Sequence, residues 1–240
     1  MIKLEHTEVT GWEAAIRGMR NPMNSWDKSD TFCNFEKCSE CSDRPKCDHE
    51  MMPGHPAGRP YRSTNLNFNY IGSNDHGLMM RLARAGSVDA KYRRMINVTV
   101  DITAPLYWWK EFDTYKVGTV ANSCSTMHKI AAKEFTIDDF SHEHLHPNSL
   151  EYLKSIIFKL NEARNNFIKN HDKDEWWQMI QLLPSSYNQK RTVLLNYEVA
   201  SHIYPDRKNH KLDEWHVFCE ALENLPLSEL IIGGNTNDPA

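Results

Sequence analysis

Four cysteines fall within fifteen residues, as Cys33-x4-Cys38-x2-Cys41-x5-Cys47, and they are the densest set of soft metal ligands in the chain. The central Cys-x2-Cys has the bite that lets two thiolates grip one tetrahedral ion, and the outer pair completes a set of four. The outer spacings differ from those of a common zinc finger, and His49 and His55 stand close enough in sequence to replace a cysteine. Three fates are open to these thiols: structural zinc, an iron–sulfur cluster, which ligation by four cysteines also suits, or no metal at all. Structural zinc held by Cys33, Cys38, Cys41 and Cys47 is the expectation. A site closed by four protein ligands leaves no position for a substrate, so its task would be to fold the segment that carries it.

That segment needs such help. From Trp26 to about Tyr70 regular periodicity is absent, and Pro45, Pro53, Gly54, Pro56, Gly58 and Pro60 punctuate the stretch. A structureless run of this length inside a compact domain calls for something to hold it. Around it the pattern is regular. Trp12, Ile16 and Met19 fall at helical spacing and Asn21-Pro22 ends the run. Leu78, Met79, Leu82 and Ala83 mark a second helix with Gly86 as its stop, and a short helix follows to Met95. Ile96 to Thr103 (INVTVDIT) alternates β-branched residues as a half-buried strand does. Pro105 then opens the helix LYWWKEFDTY, whose Tyr107, Trp108 and Trp109 read as core aromatics. A long amphipathic helix runs from Leu150 to Phe167, and another from Glu175 to Leu183 is closed by Pro184. Residues 191–204 and 212–224 also read as helical. The fold class expected is α/β (α+β): one helix-rich domain over residues 1–240 with a central sheet, carrying a Cys- and His-rich insert at 26–70.

The segment PLYWWKEFDTYKVGTVANSCSTMHK resembles, without a gap, the signature of the flavin-dependent thymidylate synthases, in which a proline-led helix precedes Arg-His-Arg-x-x-Ser-x-Asn-x-x-Ser-x-Arg. Thr114, Tyr115 and Lys116 stand at the basic triplet, Thr119 at the first serine, Ala121 at the asparagine, Cys124 at the second serine and Thr126 at the last arginine. Further on, the family's Leu-Pro, its asparagine-containing helix and its arginine are matched in spacing by Leu183-Pro184, Asn196 and Arg207. Between them Glu198 replaces an arginine and His202 an asparagine. GWEAAIRGMRN near the start and LDEWHVF near the end extend the likeness to most of the chain outside residues 26–70.

This resemblance implies a fold and an activity. In the family, methylenetetrahydrofolate delivers a carbon to C5 of dUMP and reduced FAD passes a hydride, with NADPH as co-substrate; no side-chain nucleophile on the pyrimidine is required. Catalysis then rests on orientation and on charge placement. Carried over position by position, Lys116, Thr119, Asn196 and His202 would face the flavin, and Cys124, Ser125, Glu198 and Arg207 the nucleotide, with Arg207 also the expected catalytic residue. Arg207 is either a planar fork on the pyrimidine edge or a helix-terminal surface arginine. Asn196 either meets ligand or caps a helix. Lys116 either neutralises a phosphate or is solvated, and Cys124 is either a reactive thiol or, as favoured here, a small buried hydrophobe. A carboxylate at the arginine position of Glu198 would repel a phosphate, which opens two other routes. One is a different base such as that of dCMP, read by Glu198 or His202; the other is a nucleotide-binding or interaction protein that has lost the flavin.

Composition fits these readings. The chain has 240 residues, 40% of them hydrophobic, enough for a sizeable core. Twenty-eight basic against 32 acidic side chains leave a formal charge of −4, so no nucleic-acid partner is expected. MIKLEHTEVTGWEAAI has no basic leader before an apolar core, and no apolar run approaches a membrane span. A cytoplasmic protein is expected, binding a pyrimidine deoxynucleotide. Because family sites are assembled from several subunits, the resemblance implies a homo-oligomer, a tetramer.

Overall fold

The computed structural model describes residues 2–31 and 71–233. The cysteine cluster, with Cys33, Cys38, Cys41 and Cys47, lies outside the described residues, as does most of the expected insert. Among the described residues no group of His, Cys, Asp and Glu is arranged to hold a metal ion, and no helix is long and apolar enough to cross a membrane.

The chain is a mixed helix and sheet protein built on one four-stranded antiparallel sheet. Strand β1 (Lys3–Thr10) leads to helix α1 (Trp12–Arg20) and then to α2 (Ser73–Ala85). Strand β2 (Asn97–Pro105) is followed by α3 (Leu106–Phe112), β3 (Val120–Ser123) and the single turn α4 (Thr126–Lys129). Helices α5 (Pro147–Asn170) and α6 (Lys173–Leu182) precede β4 (Asn188–Asn196), and α7 (Tyr197–Arg207), α8 (Asp213–Glu223) and α9 (Glu229–Ile232) close the described chain. The strands lie in the order β1-β2-β4-β3.

Three elements differ from the sequence reading. β1 was not anticipated, because within it only Val9 is buried and KLEHTEVT shows no alternation of apolar residues. The run expected as a helix over 191–204 is divided: Val193 and Leu195 are buried in β4, and α7 starts only after Asn196. A short apolar run such as VLLNY does not separate a strand from a helix by periodicity. The short helix to Met95 is a 3-10 helix over Ala90–Met95.

The described residues form two compact units, each assembled from separated stretches of chain. One comprises, among the described residues, 2–5, 101–116 and 121–193. Its apolar centre packs Leu153, Ile157, Leu160 and Ala163 of α5 with Met179 of α6 and with Ile130, Phe135 and Phe140. Spacings of three and four along α5 put those residues on one stripe, which is why this helix can be long and still amphipathic. Trp108, Trp109 and Phe112 of α3 are buried as a cluster, with the Trp109 indole donating to the Gln189 carbonyl at 2.9 Å.

The other unit comprises, among the described residues, 6–31, 71–100, 117–120 and 194–233. Its core includes Trp12, Met79, Tyr197 and Trp215, with Trp12 edge-on to Tyr197 at 5.4 Å between ring centres. Two buried ion pairs brace it. Arg20 meets Asp75 at 2.6 Å, and Arg93 meets Glu198 at 2.8 Å. Asp75 also accepts from the Ser29 hydroxyl at 2.7 Å and from the backbone of Asp30 and Thr31. In return Asp30 accepts from the backbone N–H groups of Asn74 and Asp75, satisfying the exposed donors at the start of α2. The Gly72 N–H donates to the Thr31 hydroxyl at 2.9 Å, so the two ends of the described chain that flank residues 32–70 are clipped together.

Candidate functional site

Residues singled out from the sequence divide between the two units, and each group has its own setting. In the first unit, Cys124 and Ser125 follow β3. The Cys124 N–H donates to the Lys190 carbonyl at 2.9 Å and the Gln189 side chain donates to the Cys124 carbonyl at 3.0 Å, so the backbone here is fixed against β4. The Cys124 side chain is exposed, contrary to the buried hydrophobe expected, because β3 is an edge strand whose residues are all exposed. Ser125 caps α4: its hydroxyl accepts from the His128 N–H at 3.0 Å and lies 2.9 Å from the His128 ring Nδ1. Both residues line a cleft of about 360 Å³ together with Lys129, Lys133, Asp139 and Tyr187. Lys116 lies elsewhere in this unit, exposed at the end of a 3-10 turn after α3.

The second unit holds Thr119, Asn196, Glu198, His202 and Arg207. Asn196 does not sit inside a helix. It is the N-cap of α7, its side-chain oxygen accepting from the Val199 N–H at 3.0 Å. That bond turns the amide nitrogen toward the segment 117–120, where a Cβ at Gly118 would lie 3.5 Å from Asn196 Nδ2 and only 2.8 Å from a Val199 methyl. Gly118 has φ +86°, so the turn that carries Thr119 past the start of α7 requires glycine on both steric grounds. Cap and turn together bring the Thr119 segment and the Asn196 amide into one corner.

Glu198 is buried and its carboxylate is engaged. Arg93 donates to Oε2 through Nε at 2.9 Å and through a terminal nitrogen at 2.8 Å, while His202 Nε2 lies 3.4 Å from Oε1. A second terminal nitrogen of Arg93 donates to the Leu230 carbonyl at 3.0 Å. The negative charge that sequence placed opposite a phosphate is therefore compensated by a guanidinium from the 3-10 helix before β2. Arg207 ends α7 half-buried, its guanidinium 4.6 Å from the centre of the Trp215 ring. Stacking on an aromatic face pre-organises the plane of the guanidinium fork. Nearby, burial and Glu223 push the Cys219 thiol up to about 11, against a smaller opposing effect of Arg207, so this second described cysteine is a neutral core residue.

Sequence reasoning missed Arg93, Tyr187, Lys133 and Trp215. One signal was present for Arg93. Glu198 lies among Tyr197, Ala200, Ser201 and Ile203, all buried in α7, and a carboxylate among such neighbours needs a cationic partner.

No family model matches this sequence, and no curated protein does. Solved structures do. The flavin-dependent thymidylate synthase ThyX of Helicobacter pylori, complexed with FAD and dUMP, is similar over 97% of this chain and 98% of its own, with a TM-score of 0.60 and 14% identity. A further structure of that enzyme with FAD and dUMP is similar over 98% and 99% of the two chains, at 13% identity and a TM-score of 0.60. The likeness is one of fold. It spans nearly the whole of both chains.

Proposed function

We propose that the protein transfers a one-carbon unit to C5 of a pyrimidine deoxynucleotide with a flavin cofactor, dUMP being the default substrate, methylenetetrahydrofolate the carbon donor and NADPH the reductant. The observation that carries this reading is the likeness in fold, along nearly its full length, to an enzyme whose structures hold FAD and dUMP.

The chain's residues fit the groups such a reaction must hold. Hydroxyl, amide and imidazole donors of Thr119, Asn196 and His202 suit the polar edge of a flavin, and the side-chain oxygen of Asn196 is fixed by the cap it makes. Lys116 supplies a positive charge for a phosphate. Bound reduced flavin would supply the hydride that completes the methyl group. Cys124 and Ser125 present small polar side chains to the nucleotide on a backbone pinned to β4, and Arg207 offers a pre-set fork to the pyrimidine edge. With Glu198 neutralised by Arg93, an anionic substrate meets no uncompensated carboxylate from that position. Assembly into a homotetramer would bring donors from other copies of the chain, and a zinc ion on Cys33, Cys38, Cys41 and Cys47 would organise the insert.

A second reading has one observation in its favour. Thr114, Tyr115 and Thr126 occupy positions that are basic in the family signature, so this chain offers a flavin pyrophosphate fewer charges. In that case the fold binds a nucleotide or a protein partner without flavin. Purified protein separates the two: yellow colour that leaves with the released cofactor, together with formation of dTMP from dUMP, methylenetetrahydrofolate and NADPH, is the expected outcome. Colourless protein that takes up no added FAD and yields no dTMP would establish the second reading.

A further inference from the structure

The cleft in the first unit holds a set of groups that the family signature does not account for. Lys129 and Lys133 come from α4 and the turn after it, and Tyr187 from the position just before β4. Their charges are not equally available. Lys190, on the same wall, is drawn to Asp101 at 3.2 Å and to Glu5 at 3.5 Å. Lys133 is bonded to Asp139, which holds its ammonium above the ordinary lysine range, yet an ammonium has three donors and Asp139 takes one. The other carboxylate oxygen of Asp139 accepts from the Thr136 N–H at 2.9 Å and its hydroxyl at 3.2 Å, so that acid is satisfied within its own turn. Lys129 has no carboxylate partner among the described residues. The Tyr187 phenol, pushed up chiefly by burial and next by Asp139, is a hydrogen-bond donor like any neutral tyrosine. Ammonium groups and hydroxyl donors facing one hollow are complementary to a compact dianion with several acceptor oxygens.

Resting on the nucleotide reading above, we propose that this cleft binds the phosphate of a phosphate monoester, with Lys129, Lys133 and Tyr187 as its donors and Cys124 on the wall beside it. A bound phosphate then covers the thiol.

The test uses the full chain and follows carboxamidomethylation of Cys124 by iodoacetamide, located by peptide mass mapping, with dUMP, inorganic phosphate or deoxyuridine present. Calorimetric titration of dUMP runs in parallel. dUMP is expected to slow alkylation strongly, phosphate weakly and deoxyuridine not at all. Lys129→Gln with Lys133→Gln is expected to abolish protection and to weaken dUMP binding by about tenfold or more. Both lysines are exposed, and an unchanged melting temperature would verify that the double variant folds. dUMP binding that leaves Cys124 unprotected and is unaltered in the double variant would overturn the site while the nucleotide reading stands. Protection by phosphate monoesters of any kind, with no preference for dUMP, would support the site and count against that reading. No protection and no binding with any of the three would overturn both.

Discussion

Arg207 carries the most direct residue-scale expectation, because its stack on Trp215 fixes the guanidinium plane before any ligand arrives. Replacing it by alanine removes a charge-assisted pair of donors, and dUMP binding should weaken by roughly 1.5–3 kcal/mol. Lysine should restore only part of this, since a point charge reproduces neither the fork nor the stack. Calorimetric titration of dUMP and dCMP into the wild type, Arg207→Ala and Arg207→Lys measures the effect. Equal affinities across the three would reduce Arg207 to a brace for Trp215.

The elements around the site decide how those residues are aimed. Asn196→Ala deletes the α7 N-cap and should lower stability by about 1 kcal/mol, read as a shift in the urea midpoint. Asn196→Asp keeps a capping oxygen and adds a negative charge at a helix start, so it should preserve stability while removing the donor offered to a flavin. A flavin that binds the aspartate variant as well as the wild type would leave Asn196 with capping alone. The strand and helix just around this cap show what sequence could and could not convey. β2 was legible because Val98, Val100, Ile102 and Ala104 alternate with polar residues, and α5 because its apolar stripe persists for several turns. β4 was not, since buried Val193 and Leu195 run straight into the apolar first turn of α7. At the site, the spacing to Asn196 and Arg207 could be counted along the chain. The pairing of Glu198 with Arg93, 105 residues away in sequence, could not, because a buried charge announces its need for a partner but not which one. Cys124 was misjudged for a similar reason: its exposure follows from β3 lying at the sheet edge, a property of strand order.

For the molecule as a whole, the clip formed by Asp30, Thr31, Gly72 and Asp75 bears on the insert. Since these bonds join the two ends of the described chain that flank it, replacing residues 32–70 by a short glycine–serine linker should leave the remaining structure folded, with circular dichroism and the melting temperature of the wild type nearly kept. Loss of the cooperative transition in that variant would make the segment part of the core. Elemental analysis of the full chain, purified without chelator, should return one zinc per chain, and Cys38→Ser with Cys41→Ser should remove it. Protein free of both zinc and iron would dismiss the metal.

The buried pair of Arg93 and Glu198 also constrains the order in which this sequence could have changed. Either residue alone, in the same place, is an uncompensated charge in a core, at a cost of about 3–5 kcal/mol, a large part of the stability of an ordinary domain. A lineage that exchanged one before the other would have passed through a poorly folded ancestor unless a stabilising change came first. Positions 93 and 198 should therefore vary together among descendants of that ancestor, both charged or both apolar. Their joint state would record on which side of that substitution barrier a given relative stands.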